Sequence, residues 1–577
     1  MALFTPSESP AVVVKEVDLT SGVPNVQSST GAFVGNFAWG PTDQAVLISN
    51  EAELAETFGT PDADSNASAV DFLSAAQFLR YSNKLQIVRA IDSDGSGRNA
   101  SVATASSAAN VVNKATFDTS IASLESDGQE FIARQQGAAG NSLRVSVWDS
   151  SDMSDWAYKA EFDAAPGTSS YASARSGSND EMHVVVIDQD GLLTGTRGTI
   201  LERYAFVSKG SDAKNTDGSS NFVKDVINER SEYIFMAGAD SQFDSAGFGT
   251  SVFGTDFARV TRTNTNYDLT GGVTGSTIGT SGYLGGFDLF EDKDNIEIDF
   301  LIAPGLSSRE DQTTVVNDLI ATAQNIRKDC VVVTSPARSD VVGVNNAATV
   351  TTNITTTADT FTKSSYLVMD GNYLKVYDKF NDQYVQIPAA SSTAGIMAAT
   401  DRNAAPWFSP AGGRRGQYLG VTGIDYSPTK AQRDTLYKAG VNPVANIPGQ
   451  GLVLFGDKTG LGRPSAFDRI NVRRLFLVLE RAISRAAENV LFEFNDEFTR
   501  AEFVNIVEPV LREVKGRRGI TDFRVVCDET NNTAAVIDRN EFIASIFIKP
   551  ARSINYITLN FVAVRTGVDF EEVVGTV

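Results

Sequence analysis

Histidine is almost missing from this chain: His183 is the only one in 577 residues. A histidine-based metal site needs more than one, and any Ser-His-Asp triad would have to depend on this single residue. It lies in EMHVVVI, where a β-strand residue is the expected role. Cysteine is nearly as scarce. Cys330 (CVVV) and Cys527 (VVC) each adjoin valines and read as small apolar residues of buried strands, not as a disulfide. That usage suits a reducing cytoplasm, or a particle built there. No run of eighteen apolar residues exists, so no membrane span is expected. The opening MALFTPSESP lacks the basic start and apolar stretch of a signal peptide, and export through a secretory channel is not expected. No internal repeat of fixed period is found.

What is present is ordinary in amount and uneven in distribution. Hydrophobic residues make up 42% and charged residues 21%, as in a soluble globular protein, and the length suggests several domains. The net charge is −22. Residues 401–577 carry 23 Lys+Arg against 21 Asp+Glu, which leaves 26 against 50 for residues 1–400. An acidic two-thirds therefore precedes a charge-balanced third. Phosphate contacts need a concentrated basic surface, so broad nucleic-acid binding is disfavoured. Interspersed charge of both signs suits protein partners.

Along the chain, Ala11–Val17 (AVVVKEV) is a strand candidate with no local hairpin partner, so it must pair with something distant. Strands are expected at 31–37 and 45–48, a helix at 70–81 and a buried strand at 85–90. From 92 to about 120 the composition turns to Ser, Ala, Asn and Gly, which marks a linker or domain edge. Alternating strands at 143–148 and 181–187 suggest a β-rich insertion, and α/β character returns with a helix near 222–229. Strands at 296–302 and 330–334, with a helix at 312–327 between them, make a βαβ unit and hence a parallel pair. The Thr/Asn/Ala tract 341–361 reads as a surface loop. Helices at 467–492 and 499–516 follow, then strands at 523–527, 541–549 and 555–564.

Motifs for chemistry are weak. In Gly451-LVLF-Gly456-Asp457-Lys458-Thr459 an aspartate intrudes where a phosphate loop needs lysine, so a strand and turn is the better reading. The glycine-rich 270–287 fits no dinucleotide fingerprint and is expected as a surface loop. Asp188-Gln-Asp190-Gly191 and Asp92-Ser-Asp94-Gly95 lack the glutamate that completes a calcium loop, and both are turns. The 467–492 helix is different. It carries Arg469, Arg473, Arg474, Arg481 and Arg485 beside an apolar face of Ile470, Leu475, Leu479, Ile483 and Val490. Two readings stand: a core helix with a solvated basic side, or a basic ridge for an acidic partner.

Several segments together resemble the contractile tail sheath proteins of large bacteriophages. They are SPAVVVKEVD (9–18), TGAFVGNFAWGPTDQAVLISNEAELAETFGTP (30–61), GAAGNSLRVSV (137–147), GTILERYAFVSKGSDAK (198–214), DRNAAPWFSPAGGRRG (401–416), AGVNPV (439–444), INVRRL (470–475), FEFND (492–496) and RVVCDETNN (524–532). Their order follows the family's along nearly the whole chain. The resemblance implies a structural subunit without catalytic residues, metal or cofactor. Its sheath would polymerise around a tail tube and contract to drive that tube through a host envelope. The implied partners are copies of itself in stacked six-fold rings, the tail tube protein, and baseplate and tail terminator proteins, with no nucleic acid and no membrane insertion. The implied location is the virion tail, assembled in the bacterial cytoplasm.

The fold expected is α+β and multidomain with discontinuous domains: an inner α/β domain from the C-terminal third plus the N-terminal arm, and β-rich protruding domains. The boundaries are 1–22 for the arm; 23–95 with 185–340 for a middle α/β domain; 96–184 for an outer insertion; 341–400 for a connecting β/loop segment; and 401–577 for the inner domain, with a C-terminal arm from about 550. Inter-subunit strands are assigned to Ala11, Val12, Val13, Val14, Lys15, Glu16 and Val17, and to Ile554, Tyr556, Ile557, Leu559, Phe561 and Val562. Arg473, Arg474, Arg481 and Arg485 are the tube-facing candidates. Two alternatives remain at this point: the sheath of a phage-tail-like bacteriocin or secretion apparatus, and an acidic α/β hydrolase using a lone Ser or Asp.

Overall fold

The short apolar runs meet in one sheet. The computed structural model describes residues 29–554 apart from 43, 62–65, 92–96, 103–108, 239–246, 259–264, 275–277 and 489. Seven strands lie in the order Val441–Asn442, Leu367–Asp370, Val331–Thr334, Phe300–Ile302, Gly31–Gly35, Leu85–Arg89, Val46–Ile48. All pair in parallel except the last, which runs antiparallel to Leu85–Arg89. The strands are apolar without alternation because both faces are covered. Phe33, Phe300, Ile302 and Val333 pack with the helices Asn66–Leu79 and Ala390–Asn403. Ala32, Val34, Leu301 and Val332 face the other way, against Val315, Val316 and Leu319 of the helix Arg309–Ala321. That helix joins Phe300–Ile302 to Val331–Thr334, so the expected βαβ unit is present.

A second seven-stranded sheet is antiparallel throughout. Its order is Thr199–Ser208, Glu181–Asp188, Leu143–Trp148, Asn266–Thr270, Asn99–Val102, Phe131–Gln136, Ile234–Met236. The helix Val223–Arg230 packs on it through Val223, Val226 and Ile227. The insertion therefore runs on to 270, and the boundary expected at 184/185 falls inside the strand Glu181–Asp188. Local composition turned α/β-like after 187, but a strand belongs to the sheet it pairs with, and Asn266–Thr270 pairs with the remote Leu143–Trp148 and Asn99–Val102.

Two expected loops are helices. In Ala347–Thr360 the Asn346 side chain accepts from Ala348 N and Thr349 N, while Val350, Ile354 and Ala358 recur on one buried face. Hydroxyls of Thr351, Thr352 and Thr356 donate to carbonyls one turn back, so the threonine run satisfies itself without water. The glycine-rich stretch also becomes a helix, Thr280–Asp288, preceded by the strand Asn266–Thr270. The boundary expected at 400/401 falls within Ala390–Asn403, and Leu367–Asp370 is an inner strand of the parallel sheet, not a connector.

The chain divides into two compact units, Met1–Phe492 and Glu493–Val577. In the second, the helix Glu497–Gly516 is capped by Asp496, which accepts from Thr499 N at 2.8 Å. It buries Phe503, Val507, Leu511 and Val514. Ile520–Val526 and Ser545–Pro550 form a two-stranded antiparallel sheet.

The glycine helix generates a contrast. A Cβ on Gly282 would meet the Ile91 carbonyl oxygen at 2.2 Å, whereas one on Gly285 would meet nothing within 4 Å. Gly282→Ala should destabilise by about 1–3 kcal/mol through overpacking, and Gly285→Ala should be neutral or gain up to about 1 kcal/mol. Thermal unfolding of both variants checks this; equal effects would contradict the packing.

Candidate assembly interface

The arginine helix, Ile470–Glu488, starts after a single 3₁₀ turn, Ala466–Asp468, in which Ser465 accepts from Phe467 N. Its apolar face enters the core through Ile470 and Leu477. Its arginines turn inward as well. Arg473 lies between the rings of Tyr366 (4.3 Å) and Phe467 (4.2 Å) and donates to Ser365 Oγ at 2.6 and 3.1 Å. Arg474 sits over Phe300 at 4.8 Å and grips both carboxylate oxygens of Asp401. Arg481 donates to Asp299 Oδ1 at 2.7 Å and to the carbonyls of Ile298 and Asp329 at 3.0 and 2.9 Å. Arg485 makes a more exposed pair with Glu297.

The tube-facing reading of Arg473, Arg474 and Arg481 is thereby corrected. Arg473 is 8% and Arg474 4% exposed, and the side chain of Arg481 is 11% exposed. The reason lies in their partners. Asp299 and Asp329 precede two parallel strands, and Asp401 ends the helix Ala390–Asn403, so the helix meets a rim of acids and carbonyls. Those partners lie 73 to 182 residues away, and no local pattern announces them. A usable signal was there: a helix with an apolar stripe and arginines beside it keeps few positions for water.

Asp299 also accepts from Thr30 N at 2.9 Å, which ties the start of Gly31–Gly35 to the arginine helix. Burial lifts its carboxyl above the ordinary range, outweighing the opposing pull of Arg481 and Thr30.

The opposite rim of the parallel sheet is where open sheets of this type hold ligands. Here the described residues around two acids on that rim are buried. Asp370 accepts from Ser335 Oγ (2.8 Å) and Thr393 Oγ1 (3.0 Å), and Thr393 bonds the Tyr418 hydroxyl, all of them buried. Asp71, on the helix Asn66–Leu79, accepts from Asn36 N and from the Tyr283 hydroxyl. Neither acid has an ion-pair partner among the described residues. Burial pushes both from 3.8 up to about 7.

The remaining sequence candidates sit as follows. His183 is buried, stacked on Phe162 at 4.2 Å; its Nδ1 accepts from Phe206 N and its Nε2 lies 2.9 Å from Ala164 O. Burial lowers its pKa, and the neutral ring with Nε2 as donor fits both bonds. Gly451–Leu454 is a strand, and Asp457 after it accepts from Arg469 at 2.9 Å, a structural acid as the strand-and-turn reading expects. Both cysteines are free and buried. No group of acids, His or Cys able to hold a metal occurs among the described residues. None of their helices is long and apolar enough to cross a membrane. Of the strand residues assigned to subunit exchange, Ala11 to Val17 and Tyr556 to Val562 lie outside the described residues. Ile554 is 81% exposed and belongs to no strand.

In the second unit the two-stranded sheet has both outer edges open among the described residues. Ile520 is buried, but Phe547 is 60% exposed, and most other positions of the two strands are only half covered. A two-stranded ribbon with bare edges is a poor end state in water and a template for further strands.

Two predictions concern the buried charges. Arg481→Ala should cost about 3–5 kcal/mol because it leaves Asp299 buried and unpaired, while Arg485→Ala should cost about 1 kcal/mol or less. Urea unfolding separates them, and similar costs would refute the rim assignment. For Asp370 the unfolded chain releases its proton near 3.8 and the folded chain near 7. A raised carboxylate pKa means that stability is fullest below the unfolded value and is lost as pH rises towards 7. Asp370→Asn should therefore gain on the wild type between pH 5 and pH 8. A difference in stability that stays constant across that window would contradict this.

Comparison with known proteins places these features in a family. A family model described as the phage tail sheath protein central domain matches residues 276–460, and one described as the phage tail sheath C-terminal domain matches 463–563. A third, described as the tail sheath protein Gp18 domain III N-terminal region, matches 29–90. The first and third together span every strand of the parallel sheet, with the antiparallel insertion between them. The tail sheath protein of Enterobacteria phage T4 is 32% identical over 98% of this chain and 99% of its own. That of Vibrio phage KVP40 is 31% identical over 98% and 99%. The crystal structure of a sheath tail protein from Listeria innocua shares the fold, with a TM-score of 0.54 at 12% identity over 92% of this chain and 97% of that one. The chain belongs to the tail sheath proteins of contractile-tailed bacteriophages.

Proposed function

We propose that this sheath protein polymerises around a tail tube in stacked six-fold rings by exchanging strands between subunits, and that its contraction drives the tube through the host envelope. The observation that carries the reading is the open two-stranded sheet of the second unit. An added strand would supply the missing main-chain hydrogen bonds along an edge, with side-chain pockets setting its register. The chain carries two segments of suitable chemistry. Ala11–Val17 has three β-branched residues in a row, and 555–564 alternates apolar residues with Asn and Thr. One neighbour would donate the first segment and another the second.

Such links suit a contracting lattice. Main-chain pairing holds while the chain bends at Ser21-Gly22 and near Gly567, so rings can slide and rotate without separating. The work of contraction would come from contacts between subunits. The role is structural, and the buried hydrogen-bonded acids at the sheet's ligand-binding rim fit it. The remaining partners in this reading are the tail tube protein, baseplate proteins and a tail terminator, with assembly in the host cytoplasm and residence in the virion tail.

Deleting residues 1–20 tests the exchange. The expected product is a folded, soluble subunit that forms no cylinders by negative-stain microscopy under conditions where the full chain does. Cylinders of normal length and heat resistance from the truncated chain would exclude the first donated strand.

A further inference from the structure

The first unit holds a pocket that none of these assignments uses. It opens between the starts of two neighbouring parallel strands, Leu367–Asp370 and Val441–Asn442, and has a volume of about 180 Å³. Four cationic side chains line it (Lys363, Lys438, Lys458 and Arg463) against one carboxylate, Asp468. Three of the four lie in the charge-balanced residues 401–577, where four cations against one carboxylate are a local excess. Lys438 and Arg463 are exposed and make no ion pair among the described residues. Lys458 donates to the Tyr437 carbonyl at 2.7 Å over that residue's ring, and Lys363 donates to Ala358 O at 2.6 Å and pairs with Asp359 at 3.3 Å. Burial and, after it, the nearby Arg469 hold Lys458 below its ordinary pKa, against the opposing pull of Asp468 and Asp457. Between the cations the wall is apolar or bare: Ala439, Gly440, Gly460, Leu461, Gly462 and Pro464. Gly440 has φ +84, and a side chain on Gly460 would strike Leu367 at 2.7 Å, so the backbone here keeps the wall thin.

Cations set beside the apolar side chains of Ala439, Leu461 and Pro464 suit an apolar side chain flanked by carboxylates. The volume exceeds the roughly 150 Å³ of a cavity known to take a benzene ring. Phenylalanine flanked by carboxylates occurs at Glu493–Phe498 and at Asp569-Phe570-Glu571-Glu572; the second, with three carboxylates around one ring, lies outside the described residues and follows the 555–564 segment assigned to exchange between subunits. We infer that the pocket lined by Lys363, Lys438, Lys458 and Arg463 receives the Asp569–Glu572 segment of a second copy of this chain, the phenyl ring on the apolar wall and the carboxylates on the cations. The inference rests on the self-assembly reading and adds an electrostatic latch to it, distinct from the strand exchange. Single rim pairs of this kind are weak, but the contact repeats in every subunit of a ring, where linked sites reinforce one another.

The test is a charge swap in the full chain. Lys438→Glu with Arg463→Glu should raise the protein concentration needed for cylinder formation at least tenfold. Glu571→Lys with Glu572→Lys should do the same, and the four changes together should restore assembly. Both targeted cations are exposed, so an unchanged thermal unfolding midpoint should show that the pocket variant is folded. In a second arm, a labelled peptide of residues 565–577 should bind the wild-type chain and lose at least tenfold in affinity for the pocket variant, and its affinity should fall with added salt. A pocket variant that loses assembly without rescue by the tail reversal would give the pocket to another acidic partner, such as the tube, and would overturn the proposal. So would a tail variant that assembles like the wild type, or a peptide that binds both chains equally. Absence of cylinders from the wild type would instead defeat the self-assembly reading, and the peptide arm would still decide the pocket.

Discussion

One buried carboxylate holds the first unit's layers in register. Asp299 stands at the start of a central strand, accepts the backbone N–H of Thr30 at the start of the next, and pairs with Arg481 on the long helix. Through Arg481 the same helix also binds the carbonyls before two neighbouring strands. Parallel strands enter a sheet side by side, so their preceding loops expose carbonyls and acids on one rim. A helix with inward arginines is a way to cover that rim without leaving polar groups dry. Arg473 and Arg474 extend the arrangement to the next strand's loop and to the helix Ala390–Asn403.

The other rim is closed differently. There Asp370 and Asp71 have hydroxyls and backbone N–H groups for partners, not cations. An α/β sheet with this rim open would offer a crevice; here buried hydroxyls, N–H groups and acids fill the described part of it. The antiparallel insertion is mounted on the parallel sheet between Leu85–Arg89 and the glycine helix, and so interrupts the sheet in sequence without interrupting it in space.

The second unit shows the reverse economy. Its helix buries a full apolar face, yet among the described residues its sheet has two strands, with main-chain groups on both edges and Phe547 uncovered. A family whose members form sheaths has a use for such incompleteness, because the missing strands can come from other subunits.

Much of this was legible in the residues. Near absence of histidine and cysteine spoke against histidine-based metal sites and disulfides, the apolar runs located the strands Leu143–Trp148, Leu85–Arg89 and Val331–Thr334 within a residue or so, and the ordered motifs pointed to the sheath family. These are properties of short windows, which local periodicity and residue type decide. Three other features were not legible. The insertion runs past 184 because Glu181–Asp188 pairs with Leu143–Trp148 and Thr199–Ser208 in a sheet that continues to 270. The threonine and glycine tracts are helices because Val350 and Ile354 find a buried face, and because glycines let a helix approach Val34 and the Ile91 carbonyl. The arginines point inward because Asp299, Asp329 and Asp401 await them. In each case the deciding partner is distant in the chain, so composition and spacing fixed what each segment could become, and only tertiary contact chose which way it faced.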